Sequence, residues 1–321
     1  MRALVLGTGG MIGDAVARAL AARGIETFGA SRAGPLGSYD GWCGVRADRA
    51  DPTSVRALLN AHAIDVLVDI VAYASAETAR LLTAIDGRVA QYVLVSSLDV
   101  YRNYGLLHGL ETGVPDPGPL DENAPLRLRL YPYRGATRRP PEDPLAWLDD
   151  YDKIPIEEAV RGLASAWTIL RLPMVYGPGD RQRRFRWAIE PMLAGAGHID
   201  VAPAWLAWTT TFGFIDNVAA AIALTVGQSR AFGATFNVVD TPPMSHRLWL
   251  EHLRAVTGWR GVLRSNRTAA PPVSGGVTTL DLTVPLAVSG QRLVDHLSYV
   301  PPVDVCSTLA RTIAAERSQG L

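Results

Sequence analysis

Two rhythms of apolar residues alternate along the chain. The run Arg2–Leu6 is almost wholly apolar, as in a strand buried on both faces. Met11, Ile12, Ala15, Val16, Ala19 and Leu20 then recur at i, i+4 and i+8, one apolar stripe of a helix. The stripe stops before Gly24, a residue suited to a helix C-terminus. Ile25–Ala30 reads as a second strand, and the alternation continues. Gly44–Asp48 is a short strand, Pro52–Ala61 a helix, and Ile64–Val71 a nearly all-apolar strand. Ser75–Ile85 is a helix and Gln91–Ser97 a strand. Strands and helices in this order predict a doubly wound parallel sheet in an α/β fold.

The rhythm breaks over residues 102–150, which hold eight prolines and no clear periodicity, so this stretch reads as a long loop or lid. Asp152 is placed as a helix N-cap, with Pro155 in the first turn of a helix reaching about Ala164. Trp167–Leu172 is a strand, Arg181–Leu193 a helix, Val218–Val226 an apolar helix and Thr235–Val239 a late strand. Ser245–Thr257 is a helix, residues 259–280 a loop, and Arg292–Leu297 and Thr308–Arg317 close the chain.

Between the first strand and the first helix stand Gly7, Gly10 and Gly13, spaced by three, with Gly9 besides. A glycine turn in this context is a dinucleotide fingerprint. Gly7 permits the tight turn, Gly9 or Gly10 lets backbone N–H groups approach a pyrophosphate, and Gly13 lets helix and strand pack closely. The phosphates then meet the free N–H groups of a helix N-terminus. An NAD site usually places an acidic residue at the end of the second strand, for the ribose 2′-hydroxyl. Here Ser31 and Arg32 stand there instead, which favours NADP(H) over NAD. A Rossmann-type unit therefore covers residues 1–172, with 102–150 as an insertion. Residues 173–321 are expected to form a smaller part, from which 211–239 returns to the sheet.

Composition narrows the field. The chain has 321 residues, 48% of them hydrophobic, and zero net charge, so nothing global attracts nucleic acid or an acidic membrane. No apolar run reaches the ~18 residues of a membrane span, and no basic or apolar leader precedes the first strand. A cytoplasmic protein is expected. Cys43 and Cys306 show no metal spacing and read as buried or idle thiols, and the histidines form no metal-binding pair, so no metal is expected. Of the 31 basic residues only Lys153 is lysine. A compact ammonium whose pKa can shift is not replaceable by a guanidinium, which singles Lys153 out.

Several stretches together resemble the extended short-chain dehydrogenase/reductase superfamily, the NAD(P)-dependent epimerase/dehydratase group. Gly7–Gly13 matches its GxxGxxG, and Ser96–Tyr101 its SSxxVY strand end. Leu170–Gly179 is similar to its LRPxxVYGPG turn, and Phe214–Ala219 to its FIHVDDVA helix start. Phe236–Val238 and Ser298–Pro301 resemble its late YNV and LGYxP motifs. The resemblance implies a nicotinamide-dependent oxidoreductase, epimerase or dehydratase acting on a small hydroxyl or carbonyl compound such as a nucleotide sugar. It also implies a mainly substrate-binding role for residues 173–321, and a homodimer.

Carried over to this sequence, Ser97 hydrogen-bonds the substrate oxygen and Lys153 holds the nicotinamide ribose and tunes the proton-transferring group. The expected cofactor contacts are Gly7, Thr8, Gly9, Gly10, Met11, Ile12, Gly13, Ser31, Arg32, Asp48, Lys153 and Pro173. Arg184 and Tyr176 are expected to contact substrate. The catalytic pattern departs from the family's Tyr-x-x-x-Lys: Asp149 stands where Tyr belongs, and Tyr151 lies two residues before Lys153. Both are candidates for the proton-transferring group, because the helix starts only near Asp152 and helical facing does not exclude Tyr151. The missing Tyr leaves a second reading open, a non-catalytic NADP(H)-binding sensor or scaffold.

Overall fold

The computed structural model describes residues 1–33, 38–39, 41–240, 242–269 and 280–320. In chain order the first part comprises β1 (Arg2–Leu6), α1 (Met11–Ala22), β2 (Glu26–Ser31), β3 (Ser38–Tyr39), β4 (Trp42–Arg46) and α2 (Pro52–Ala61). There follow β5 (Val66–Asp69), α3 (Ser75–Ile85), β6 (Gln91–Ser97), α4 (Arg102–Leu107), α5 (Lys153–Arg161) and β7 (Ala166–Leu172). These strands and Ala234–Asn237 form one sheet of eight. Ala234–Asn237 pairs parallel with β7 at one edge, and β6, β5, β1, β2 and β4 follow in that order. Seven strands run parallel, and β3 closes the other edge antiparallel to β4.

The strand order sets the site. From β1 the chain winds outward through β2 and β4, then returns to lay β5 against the other side of β1. The crossovers leaving β1 and β5 go opposite ways, and a crevice opens at the carboxyl ends of these two strands. Both faces of the sheet are covered. Val5, Val68, Val93 and Val95 join one apolar cluster, and Leu4, Leu6, Leu67 and Leu94 the other. Each such side chain withdrawn from water contributes about 1.5–3 kcal/mol.

The long stretch 102–150 is more ordered than its composition suggests. It opens with α4 and closes with a 3₁₀ turn, Ala146–Asp150. It is held by polar anchors rather than an apolar stripe, which is why no period is visible. The buried Arg127 is the main one. Its Nη2 donates to Asp152 Oδ1 at 3.1 Å, and its Nε donates to the carbonyl oxygen of Asp99. Beyond β7, the helix expected from Arg181 begins only at Arg186. The loop expected over 259–280 contains a strand, Val262–Ser265, paired with His198–Val201; its residues 270–279 lie outside the described ones. Cys43 and Cys306, expected as buried or idle thiols, are both free and exposed.

Candidate active site

The crevice at the carboxyl ends of β1, β5, β6 and β7 is a cleft of about 430 Å³. Gly7, Gly10, Met11, Ile12 and Gly13 form one wall, and Ser97, Tyr151, Lys153, Pro173 and Arg184 reach it from other elements. Val71 and Tyr73, neither singled out from the sequence as a site residue, and Arg181 complete the lining with their neighbours.

The glycine wall follows from sterics. Gly7 sits at φ +103°, where a side chain would be strained. A Cβ on Gly13 would lie 2.2 Å from the Gly7 carbonyl oxygen, so only glycine lets α1 rest on the turn. Gly10 is the N-cap of α1 and has no side chain to satisfy the first N–H groups. A helix start without a side-chain cap, beside a cleft, suits an anion. Thr8, Gly9, Ser31, Arg32 and Asp48 lie off this wall. Thr8 is buried and Arg32 exposed, while Asp48 caps its own turn by accepting from Ala50 N–H at 2.9 Å.

The junction before α5 brings Tyr151 and Lys153 together. Asp152 caps α5 by accepting from Ile154 N–H at 3.0 Å, and its own backbone is extended, φ −160° and ψ 128°. In extended chain, residues two apart share a face. Tyr151 and Lys153 therefore point to the same side, although they would not do so in a helix. Lys153 is buried and donates to the carbonyl oxygens of Ala72 at 2.7 Å and Val95 at 2.9 Å. Burial lowers its pKa to about 8, against the pull of Asp69 and Asp99. Its Nζ lies 5.1 Å from the centre of the Tyr73 ring and 5.7 Å from that of Tyr151.

The two serines at the end of β6 differ. Ser96 Oγ donates to the buried Glu157 at 2.6 Å, and Glu157 also pairs with Arg171. Ser97 Oγ accepts from Asp99 N–H at 3.2 Å and also hydrogen-bonds with the Tyr151 hydroxyl beside the cleft. Asp99 was not singled out in the sequence, yet it is the carboxylate of this region. It is buried, and Tyr151 Oη donates to its Oδ2 at 2.9 Å. Tyr133 Oη donates to the same oxygen at 3.2 Å. The only hint in the sequence is an acidic residue set between Leu98 and Val100 in an apolar strand end.

Asp149, a catalytic candidate by its position before Lys153, lies outside the cleft lining. It is buried as the partner of Arg139, accepting from that residue's backbone N–H at 2.6 Å and from its guanidinium. Tyr176, a substrate candidate, is buried too. Its hydroxyl meets Thr308 Oγ1 at 2.7 Å, and its ring packs among Phe185, Phe212, Phe214 and Trp249. Arg184 does line the cleft, held by Val175 O at 2.6 Å and Asp180 at 2.7 Å. The exposed Arg181 lines it as well, with no ion pair among the described residues. No cluster of metal-binding side chains is present among the described residues, and no described helix is long and apolar enough to cross a membrane.

Residues 3–98 match the family model of the NAD dependent epimerase/dehydratase family. Solved structures extend the likeness in fold to the whole chain. The UDP-glucuronic acid 4-epimerase of Bacillus cereus, solved with UDP-glucuronic acid and NAD, is 17% identical with a TM-score of 0.68, covering 99% of this chain and 100% of its own. The UDP-glucose 4-epimerase of Thermotoga maritima, solved with UDP-glucose, is 18% identical with a TM-score of 0.67, over 99% of each chain. That of Thermus thermophilus, solved with NAD, is 19% identical with a TM-score of 0.67, again over 99% of each chain. No curated protein matches the chain by sequence.

Proposed function

We propose that this protein is an NAD-dependent epimerase or related oxidoreductase that acts on a hydroxyl group of a nucleotide sugar. One observation carries the reading: a phenol, an ammonium and a serine hydroxyl converge on the cleft whose opposite wall is the glycine turn. Gly10, Gly13 and the uncapped start of α1 would hold the pyrophosphate, and Lys153 the nicotinamide ribose. The bound cofactor would supply hydride transfer. Around it, Ser97 donates its hydroxyl proton to the substrate oxygen and Tyr151 exchanges a proton with the same oxygen. Tyr151 takes the place that the Tyr-x-x-x-Lys pattern gives to residue 149. Arg181 and Arg184 supply cationic donors for a diphosphate.

NAD is the cofactor in this proposal, although Ser31 and Arg32 in the sequence favour NADP(H). The family model is that of NAD-dependent enzymes, related structures hold NAD, and Arg32 is exposed away from the cleft wall. A non-catalytic binder would need no convergence of Tyr151, Ser97 and Lys153, and this favours an enzyme. The test is a fluorescence titration with NADH and with NADPH, followed by assay of UDP-glucose and UDP-glucuronic acid by product analysis. Tighter NADH binding and conversion of either sugar, both lost in Lys153→Ala, are expected. Preference for NADPH overturns the cofactor assignment; binding without turnover of any nucleotide sugar overturns the substrate class.

A further inference from the structure

Tyr151 does not direct its hydroxyl proton to solvent or to a backbone carbonyl. It donates it to Asp99 Oδ2 at 2.9 Å, behind the cleft. We propose that Asp99 is a positioning residue that takes up the phenolic proton of Tyr151 while Tyr151 takes the substrate's, and returns it when the reaction reverses. The inference rests on the reading of Tyr151 as the group that exchanges a proton with substrate.

Asp99 is built for such an exchange. It is 4% exposed, and its two oxygens are unlike. Oδ2 accepts from two phenols, Tyr151 and Tyr133, and Tyr104 Oη backs the second by donating to Tyr133 Oη at 3.0 Å. Oδ1 is buried without a hydrogen-bond partner among the described residues. A buried carboxylate with one oxygen unserved is costly as an anion, so it accepts a proton readily. The groups that face it from the packed elements are Tyr151, Lys153 and Asp152 at the α5 junction, Arg127 and Tyr133 of the stretch 102–150, Tyr104 of α4, and Ser97 of β6. Burial raises the Asp99 carboxyl above its ordinary range; Arg127, the Tyr151 hydrogen bond and Lys153 oppose the rise.

The step balances. The substrate O–H bond breaks as its proton joins Tyr151 Oη, and the Tyr151 O–H bond breaks as that proton joins Asp99 Oδ2. The hydroxyl-bearing carbon gives its hydride to an oxidised nicotinamide as electron acceptor, and the C=O bond forms. Return of the hydride reverses every proton movement. Tyr151 thus stays a neutral phenol throughout, which matches a hydroxyl whose ionisation is driven well above the ordinary range by burial and by Asp99.

The experiment follows the Asp99 carboxyl carbon by ¹³C NMR in full-length protein labelled at aspartate, its signal identified by its loss in Asp99→Asn. It should titrate above the ordinary ~3.9. In Tyr151→Phe and in Tyr133→Phe its midpoint should move further up, because each removes a donor to the anion. In parallel, kcat is measured against pH with UDP-glucose and UDP-glucuronic acid. Activity should rise as pH climbs through the Asp99 midpoint. Asp99→Asn should lose on the order of 100-fold in kcat and the acidic limb with it, while NADH affinity stays unchanged. A titration indifferent to Tyr151→Phe overturns the proposal, as does an Asp99→Asn enzyme with the wild-type acidic limb. If neither sugar is turned over by wild type, the proposed function fails, and the carboxyl response alone still decides whether Asp99 and Tyr151 share a proton.

Discussion

Replacing Gly13 by alanine tests the cofactor wall most directly. The new methyl would lie 2.2 Å from the Gly7 carbonyl oxygen, 2.6 Å from the Gly7 carbonyl carbon and 2.8 Å from Thr8 N. All three are backbone atoms, so no side chain can swing aside. Relief requires α1 to lift off the turn, and α1 also packs against the helix Ile215–Thr225, which resists the movement. Overpacking of this kind costs about 1–3 kcal/mol, roughly a fivefold to hundredfold loss in the folded-to-unfolded ratio. The N–H groups at the start of α1 move with the helix, and NADH affinity should fall at least about tenfold, equivalent to ~1.4 kcal/mol. Gly9 and Gly10 serve as internal controls. The nearest atom to a methyl on Gly9 is Ser31 Cβ at 3.6 Å, an ordinary contact. Gly9→Ala should hold its stability or gain up to about 1 kcal/mol from a stiffer unfolded chain. Gly10→Ala has equal room, 3.6 Å from Gly7 O, but lines the cleft; its affinity should fall while its stability does not. Urea denaturation midpoints and NADH fluorescence titrations on the three variants separate these outcomes. A Gly13→Ala protein with the wild-type midpoint and affinity would refute the reasoning, since α1 would then not rest on the turn.

Three further outcomes are expected. Lys153 has a folded pKa of about 8, below its unfolded value of ~10.4, so the unfolded chain binds more protons between those two pH values. The wild type should therefore gain stability from this group as pH rises from about 8 to ~10.4, whereas Lys153→Met should show no such rise in denaturation midpoints; NADH affinity should fall over the same window in wild type as the ammonium discharges. Asp149→Asn should lose about 1–3 kcal/mol by weakening the buried pair with Arg139, yet bind NADH as wild type does. A loss of cofactor binding there, at constant folding, would return Asp149 to the site. Arg184→Ala and Arg181→Ala should weaken UDP binding in calorimetry, the exposed Arg181 with the steeper salt dependence; unchanged affinity in both places the diphosphate elsewhere.

What is legible in the sequence of this protein is what depends on neighbours along the chain. The apolar runs of β1, β5 and β6, the stripe of α1 and the cap at Asp152 are local patterns, and their elements appear at those places. The glycine turn is local too, since its strand, turn and helix are consecutive. Tertiary structure decided the rest. That β5 returns beside β1, and so opens the crevice over the glycine turn, depends on sheet order. Which group beside Lys153 faces the cleft also depended on long-range contacts. Position before Lys153 favours Asp149, but Arg139, brought back by the insertion, binds it elsewhere, while an extended Asp152 turns Tyr151 to the lysine's side. Asp99 shows the limit most plainly. Its burial, its unserved oxygen and its phenol donors come from β6, the insertion and the α5 junction, and between them lie residues 102–150, whose polar anchoring leaves no period to read. Helices and strands follow from hydrogen bonds and apolar faces spaced along the chain; the meeting of Asp99, Tyr151 and Tyr133 follows from packing between segments that sequence order keeps apart.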